Sequence, residues 1–262
     1  MRVAFWNTNN NKIIDEYIVD LVNEYKIDII CLAEYSGKAE KVYSKINIGK
    51  NYSLIDAPGC ERVTIISNIS EFEPAYQSKY CTIQIVDNKM ILCVAHLPSR
   101  IHSNAEKRRI VVLDIIRQIN ELEIKNNISK TIIVGDINDN PYEYTCLGAE
   151  TFHGIPIEND ARRIKRTIYG NEFKMFYNPM WNLLGDNNYP PGTYYYVGND
   201  PMCSYWNMFD QVMIRPTLID DFDKSKLKIL YKIKNKSLVD EAGHPDICIS
   251  DHLPIIFEIG EK

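Results

Sequence analysis

The chain has 262 residues, 45% of them hydrophobic and 25% charged, and its formal net charge is −5. Such proportions are ordinary for a globular protein and predict a sizeable core. A negative balance excludes long stretches of duplex held by general electrostatics, so any polyanion would need a local basic patch.

Residues 2–6 alternate toward Asn7 and predict a strand. Residues 11–25 place Ile14, Ile18, Leu21, Val22 and Tyr25 on one face, the pattern of an amphipathic helix. Ile27 to Ala33 is a second apolar strand ending at Glu34, and the resulting β-α-β unit implies neighbouring parallel strands. Residues 52–56, 61–67, 79–86 and 89–97 are strand candidates in succession and predict an antiparallel meander. A helix over about 104–125 precedes the strand that starts at Thr131. Between 150 and 208 the pattern weakens among aromatics, Pro and Gly, and strands return at 209–214, 227–233 and 254–259. Helix-linked and hairpin-linked strands together predict an α/β protein with mixed sheets. No repeat, low-complexity tract or linker interrupts it, so a single domain over 1–262 is expected.

The seven cysteines, at 31, 60, 81, 93, 146, 203 and 248, are odd in number and contain no CxxC pair. They predict a reducing compartment and no zinc site, with Cys31, Cys93 and Cys248 buried in apolar runs. The opening MRVAFW is strand-like rather than leader-like, and no apolar stretch approaches the roughly 18 residues of a membrane span. The cytosol is the expected compartment. His102, His153 and His244 show no partner pattern and are expected at the surface or in loops.

The stretch TIIVGDINDNPYE, residues 131–143, sets Asp136 and Asn138 directly behind a short β-branched run. If the chain stays extended, period-two alternation puts both on one side and turns Ile137 into packing. Other strands also run into a chemically able side chain: Asn7 after VAFW, Glu34 after IICLA, His96 in ILCVAHLPS and Asp210 in NMFDQVMI. Asp251 and His252 stand just before LPIIFEI. A single acid at a strand end is commonly a solvated cap. Strand ends of an α/β sheet converge on one crevice, however, and a whole set of polar groups there is costly without a function.

In this order WN, AEY, HL, GDIN, FDQV and SDHLP closely resemble the endonuclease/exonuclease/phosphatase superfamily, from residue 3 to about 257. Its members include deoxyribonuclease-I-like nucleases, abasic-site endonucleases, deadenylases, neutral sphingomyelinases and inositol-polyphosphate phosphatases. The resemblance implies a four-layer α/β/β/α sandwich of two mixed sheets flanked by helices, with metal-dependent phosphoester cleavage at one edge. It also implies roles. Glu34 matches the principal Mg²⁺ carboxylate, with Asn7 beside it and Asp251 a further ligand; Mn²⁺ is a substitute for Mg²⁺. Asp136 would orient or deprotonate water, and Asn138 and His96 would hydrogen-bond the phosphate oxygens. His252 would contact the phosphate opposite the metal, with Asp210 fixing its tautomer and charge.

Departures narrow the branch. Thr8, Asn9 and Asn10 follow Asn7 where many abasic-site enzymes carry an acid, and His96 stands where those enzymes use tyrosine. GDINDNP and MFDQV lack the inositol-phosphatase signatures. Tyr189, Tyr194, Tyr195, Tyr196, Tyr205 and Trp206 crowd one region, with Tyr177 and Trp181 upstream. Such aromatics stack the bases of single-stranded nucleic acid, or simply cover a sheet. The dense cationic run is ARRIKR, with Arg162, Arg163, Lys165 and Arg166. The expectation is a Mg²⁺-dependent phosphodiesterase, a nuclease acting on nucleic acid or oligonucleotides. The alternatives are a phosphatase or sphingomyelinase-like lipid phosphodiesterase, and a catalytically silent binding module.

Overall fold

The computed structural model describes residues 1–46, 49, 51–101, 103–199 and 203–260; His102 lies outside them. β1 (Arg2–Asn7) runs through α1 (Ile14–Tyr25) to β2 (Ile29–Ala33), followed by α2 (Ala39–Ile46), β3 (Ser53–Ile55) and β4 (Val63–Ser67). β5 (Phe72–Ser78), β6 (Cys81–Val86) and β7 (Met90–His96) lead to the long α3 (Ala105–Asn126) and β8 (Thr131–Asp136). Shorter pieces follow: α4 (Tyr144–Leu147), β9 (Gly154–Ile155), α5 (Glu158–Ala161), β10 (Lys165–Ile168), β11 (Asn171–Lys174), β12 (Phe176–Tyr177), β13 (Tyr194–Tyr195) and β14 (Trp206–Asn207). The last strands are β15 (Asp210–Ile214), β16 (Lys228–Ile229), β17 (Lys232–Ile233), β18 (Lys236–Ser237) and β19 (Ile255–Glu258).

Two large mixed sheets organise these elements. The first has six strands in the order β16-β19-β1-β2-β4-β3, and the second has seven in the order β5-β6-β7-β8-β15-β12-β9. β1 and β2 are parallel, as the β-α-β pattern requires, with Val3 opposite Ile29. The expected meander is instead divided: β3 and β4 belong to the first sheet, whereas β6 and β7 belong to the second. Alternating apolar residues state that a strand is buried but not which sheet it joins. The expected strand 227–233 is likewise broken into β16 and β17.

Period-two alternation builds the layers. Leu92, Val94, Ile132, Val134, Val212 and Ile214 join one core with the residues of β1, β2 and β19. Ile91, Cys93, Ala95, Ile133 and Met213, on the opposite face of the same strands, pack on α3 through Val112, Ile115, Ile119 and Leu122. On the far side of the first sheet, Ile14, Ile18, Leu21 and Val22 of α1 and Val42 and Ile46 of α2 are buried. The result is helix, sheet, sheet, helix. Each fully buried Leu or Ile contributes roughly 1.5–3 kcal/mol to holding these layers together.

The layering brings chemistry to one edge. β1, β2, β7 and β8 end there, and the antiparallel β15 and the residues leading into β19 begin there. The parallel pairing of β7 with β8 puts His96 level with Asp136, and the antiparallel pairing of β8 with β15 puts Asp210 level with Asp136. Gly135 permits this register. A Cβ there would run into the Ala95 carbonyl on β7.

Candidate active site

Asp136 is the centre of the edge and is 1% exposed. One carboxylate oxygen, Oδ2, accepts from Asn7 Nδ2 at 2.9 Å. The other, Oδ1, accepts from the backbone N–H of Asn138 at 2.9 Å. His96 Nε2 stands 3.7 Å from Oδ2 and His252 Nε2 stands 3.9 Å from it. Burial raises the Asp136 pKa, although His252 pulls against that shift.

The partners face each other in pairs, one from each sheet. At β15, His252 Nδ1 meets Asp210 Oδ2 at 2.7 Å, with both residues buried. At β8, Asn7 meets Asp136. At β7, Glu34 Oε1 lies 3.4 Å from His96 Nε2. Burial alone would depress the His252 pKa, but the carboxylates of Asp210 and Asp136 outweigh it and push the imidazole up to about 10. His252 is therefore a cation at neutral pH. His96 moves the other way, lowered by burial against the pull of Asp136, and is neutral there. Two histidines in one site thus hold different charge states because their carboxylate partners differ.

Local backbone fixes the ligands. Glu34 follows β2 with φ +48°, a left-handed conformation uncommon for a residue with a side chain. Its Oε2 accepts from Asn10 Nδ2 at 2.9 Å, while Asn10 N donates to Glu34 O at 2.9 Å. Ser250 Oγ donates to Asn7 O at 2.7 Å and accepts from His252 N at 3.1 Å, tying the segment before β19 to β1. Trp6 Nε1 donates to His252 O at 2.9 Å. Asn138 corrects the alternation argument, since β8 ends at Asp136 and Asn138 has φ +56°. It closes a side-chain turn on Asp136 instead of continuing the strand, and its Nδ2 donates to Leu97 O at 3.0 Å. Ile137 is buried in the α3-side core.

Asp139 anchors the next turn. It is 2% exposed and accepts from Arg108 NH1 at 2.7 Å and Arg100 NH2 at 3.0 Å. Asn140 Nδ2 donates to Asn207 Oδ1 at 2.9 Å, and Asn140 Oδ1 accepts from Met208 N at 2.8 Å. The DN pair in GDINDNP is the available signal for both anchors.

The donor set suits a hard cation. Burial raises the half-buried Asp251 carboxyl; His252 opposes that rise, and Glu34 and Asp136 add to it. Glu34 and Asp251 carry the hard oxygen donors that Mg²⁺ prefers, as does the Asn7 side-chain oxygen, which accepts from the Asn9 backbone N–H at 3.1 Å. Ligand atoms of Asp136, Asp210 and His252 also lie within 4.8 Å of one another. With Nδ1 bonded to Asp210, His252 would offer such a group only Nε2, and only when that nitrogen is unprotonated.

Two of the expected substrate residues lie beside the site. Tyr194 forms a bridge with His252, their ring centroids 4.7 Å apart. One residue on, Tyr195 stacks on His244 at 3.6 Å and meets Trp206 edge-on at 5.4 Å. His244, expected without a partner, is thus part of an aromatic cluster. His153, expected at the surface or in a loop, lies in the loop before β9 but is fully buried, with Nδ1 3.2 Å from Lys174 O. Cys31 and Cys93 are buried as expected, whereas Cys248 is exposed.

The basic run is not brought here. Lys165 pairs with Lys174 across the β10–β11 hairpin. Lys174 in turn binds Glu123, which also holds Arg215 and Thr131 at the opposite end of β8 and β15. Arg162 is ion-paired to Glu158 and Asp220, Arg163 to Asp160, and Lys165 to Glu172. Arg166 is exposed on the same hairpin.

With this geometry established, comparison with known proteins identifies the class. The model described as the Endonuclease/Exonuclease/phosphatase family matches residues 77–244, and the chain belongs to that family, whose members are metal-dependent phosphoester hydrolases. Similar solved folds include a 3′-5′ exonuclease from Neisseria meningitidis, with TM-score 0.60, 10% identity and 100% coverage of both chains. An AP endonuclease from Archaeoglobus fulgidus has TM-score 0.55 and 14% identity over 99% of both chains. A 3′ phosphatase from Neisseria bound to a product DNA hairpin has TM-score 0.56 and 13% identity over 100% of both. A comparison with curated protein sequences finds no match. Among the described residues no helix is long and apolar enough to cross a membrane.

Proposed function

We propose that the chain is a Mg²⁺-dependent phosphodiesterase that hydrolyses nucleic-acid strands or oligonucleotides. The carrying observation is that His252, a cation held by Asp210, and Asp136, a carboxylate held by Asn7, address one point from opposite sheets. Glu34 and Asp251, with Asn7 beside them, would hold the metal, which supplies Lewis-acid stabilisation of charge on the phosphoryl oxygens.

Asp136 orients the attacking water and accepts its proton, its second oxygen being steadied by the Asn138 backbone. His252 Nε2–H donates to a non-bridging oxygen, whose charge grows in the transition state; a fixed donor there lowers the barrier. His96 Nε2 stands 3.4 Å from Glu34 and 3.7 Å from Asp136, where its N–H can donate to a phosphate oxygen held between them. Asn138 keeps one side-chain N–H beyond its bond to Leu97 for a phosphate oxygen. The neighbours described as exonuclease, AP endonuclease and DNA-bound phosphatase support a nucleic-acid substrate, as does the aromatic cluster around Tyr195 and Trp206.

The test is turnover with and without Mg²⁺ on single- and double-stranded DNA, RNA, dinucleotides, inositol phosphates and sphingomyelin. Mg²⁺-dependent cleavage of oligonucleotides is expected. Faster turnover of an inositol phosphate or of sphingomyelin would overturn the reading.

A further inference from the structure

The facing pairs continue one strand further. Beyond β2 the first sheet adds β4, and Glu34 N donates to the carbonyl of Arg62 at 3.4 Å, just ahead of β4. Beyond β7 the second sheet adds β6, and His96 N donates to the carbonyl of Tyr80 at 2.8 Å, just ahead of β6. Arg62 and Tyr80 face each other as the earlier pairs do, with the guanidinium carbon 5.2 Å from the ring centroid. Lys79 Nζ lies over the same ring at 5.8 Å. The edge therefore reads His252–Asp210, Asn7–Asp136, Glu34–His96, Arg62–Tyr80.

This fourth pair differs in chemistry from the other three. It brings a fixed cation, and among the described residues no carboxylate forms an ion pair with Arg62, whereas Arg100, Arg108, Arg162 and Arg163 are all so paired. Arg62 is half-buried with its guanidinium over the Tyr80 ring, and a guanidinium fork suits a bidentate anion. Strand spacing places the pair about 5 Å beyond Glu34–His96 and about 10 Å from the Asn7–Asp136 centre.

We infer that Arg62, braced by Tyr80, binds a second phosphate of the substrate, the one neighbouring the scissile phosphate on the Glu34 side. The site would then favour a chain of nucleotides over an isolated phosphoester. This rests on the nucleic-acid reading above and extends it. The aromatic cluster of Tyr195, Trp206 and His244 lies past the His252 end of the same edge, so phosphate recognition and base stacking fall on opposite sides of the reacting centre.

The experiment compares wild type, Arg62→Gln and Arg62→Lys on a single-stranded oligothymidylate, on the one-phosphate dinucleotide TpT and on bis-p-nitrophenyl phosphate, each with Mg²⁺. Arg62→Gln is expected to raise KM for the oligothymidylate about tenfold with kcat little changed. Its slope of log affinity against log salt should flatten by about 0.7, one phosphate contact on a single strand. TpT and bis-p-nitrophenyl phosphate turnover should hold, and Arg62→Lys should recover most of the oligothymidylate KM. An equal loss on all three substrates would reassign Arg62 to structure and overturn the inference. An Arg62→Gln enzyme with unchanged oligothymidylate KM and salt slope would overturn it too. A wild type that cleaves bis-p-nitrophenyl phosphate but no DNA or RNA strand, oligothymidylate and oligouridylate included, would instead remove the nucleic-acid reading, and this inference with it.

Discussion

His252 shows how a single residue obtains a function from its neighbours. Removed from water it should be neutral, yet Asp210 at 2.7 Å and Asp136 at 3.9 Å hold its proton and lift its pKa to about 10. The sign of the linkage follows. A histidine raised above its unfolded value of about 6.5 contributes stability that is fully present below that pH and is lost as pH rises through about 10. Stability to denaturant in EDTA should therefore fall from pH 7 to pH 10.5, and Asp210→Asn should flatten that decline. In parallel, ¹⁵N-histidine NMR should find His252 doubly protonated at pH 8 in the wild type and titrating lower in Asp210→Asn. A neutral His252 at pH 8 would remove it as the cationic donor. Asn10 offers a second residue-scale test, because its side chain donates to Glu34 Oε2. Asn10→Ala should raise the Mg²⁺ concentration for half-maximal activity severalfold while leaving the saturated rate near wild type.

At the scale of elements, register is the decisive quantity. His96 and Asp210 face Asp136 only because β7, β8 and β15 pair with no slip, and the missing Cβ at Gly135 lets β7 and β8 approach. Gly135→Ala must push the Ala95 carbonyl away, so it should cost about 1–3 kcal/mol as an overpacking change. It should also lower turnover more than an equally destabilising change such as Ile133→Val on the α3 side. Equal activity in the two variants, at matched stability by denaturation, would deny the register its role. The strands ending in Asn7, Glu34, His96 and Asp136 were legible because central strands are unbroken apolar runs. α2 was not: SGKAEKVYSKI carries so many charges that its buried Ala39, Val42 and Ile46 do not stand out. β5 was hidden by Pro74 and by the bulge between Pro74 and Tyr76 that an edge strand tolerates. Asn138 escaped the alternation argument because the chain turns left-handed after Asp136, and periodicity does not announce where a strand stops.

At the scale of the whole molecule, charge is sorted by end, and composition alone does not report that sorting. The dense run at 162–166 looked like a polyanion site, but only pairing in three dimensions shows Arg162, Arg163 and Lys165 matched with Glu158, Asp220, Asp160 and Glu172. Exposed pairs of this kind contribute little to stability. Replacing Arg162, Arg163, Lys165 and Arg166 by glutamine should thus alter stability slightly and leave the salt dependence of oligonucleotide binding unchanged. At the other end Glu34, Asp251 and Asp136 gather at one edge, where burial raises the Asp251 carboxyl and Glu34 and Asp136 add to the rise. A cation that binds there binds only the folded chain, and so must stabilise it. At a hundred times its dissociation constant it would add about 2.7 kcal/mol, and for a chain of this size about 2–4 °C per kcal/mol gives a rise of roughly 5–11 °C in melting temperature. Mg²⁺ titrated into EDTA-treated protein should produce that rise without any substrate present. Glu34→Gln should abolish most of it, since the variant keeps the volume and the Asn10 contact but loses the charge. A wild-type melting temperature indifferent to Mg²⁺, or a Glu34→Gln variant that responds as fully as wild type, would place the metal elsewhere.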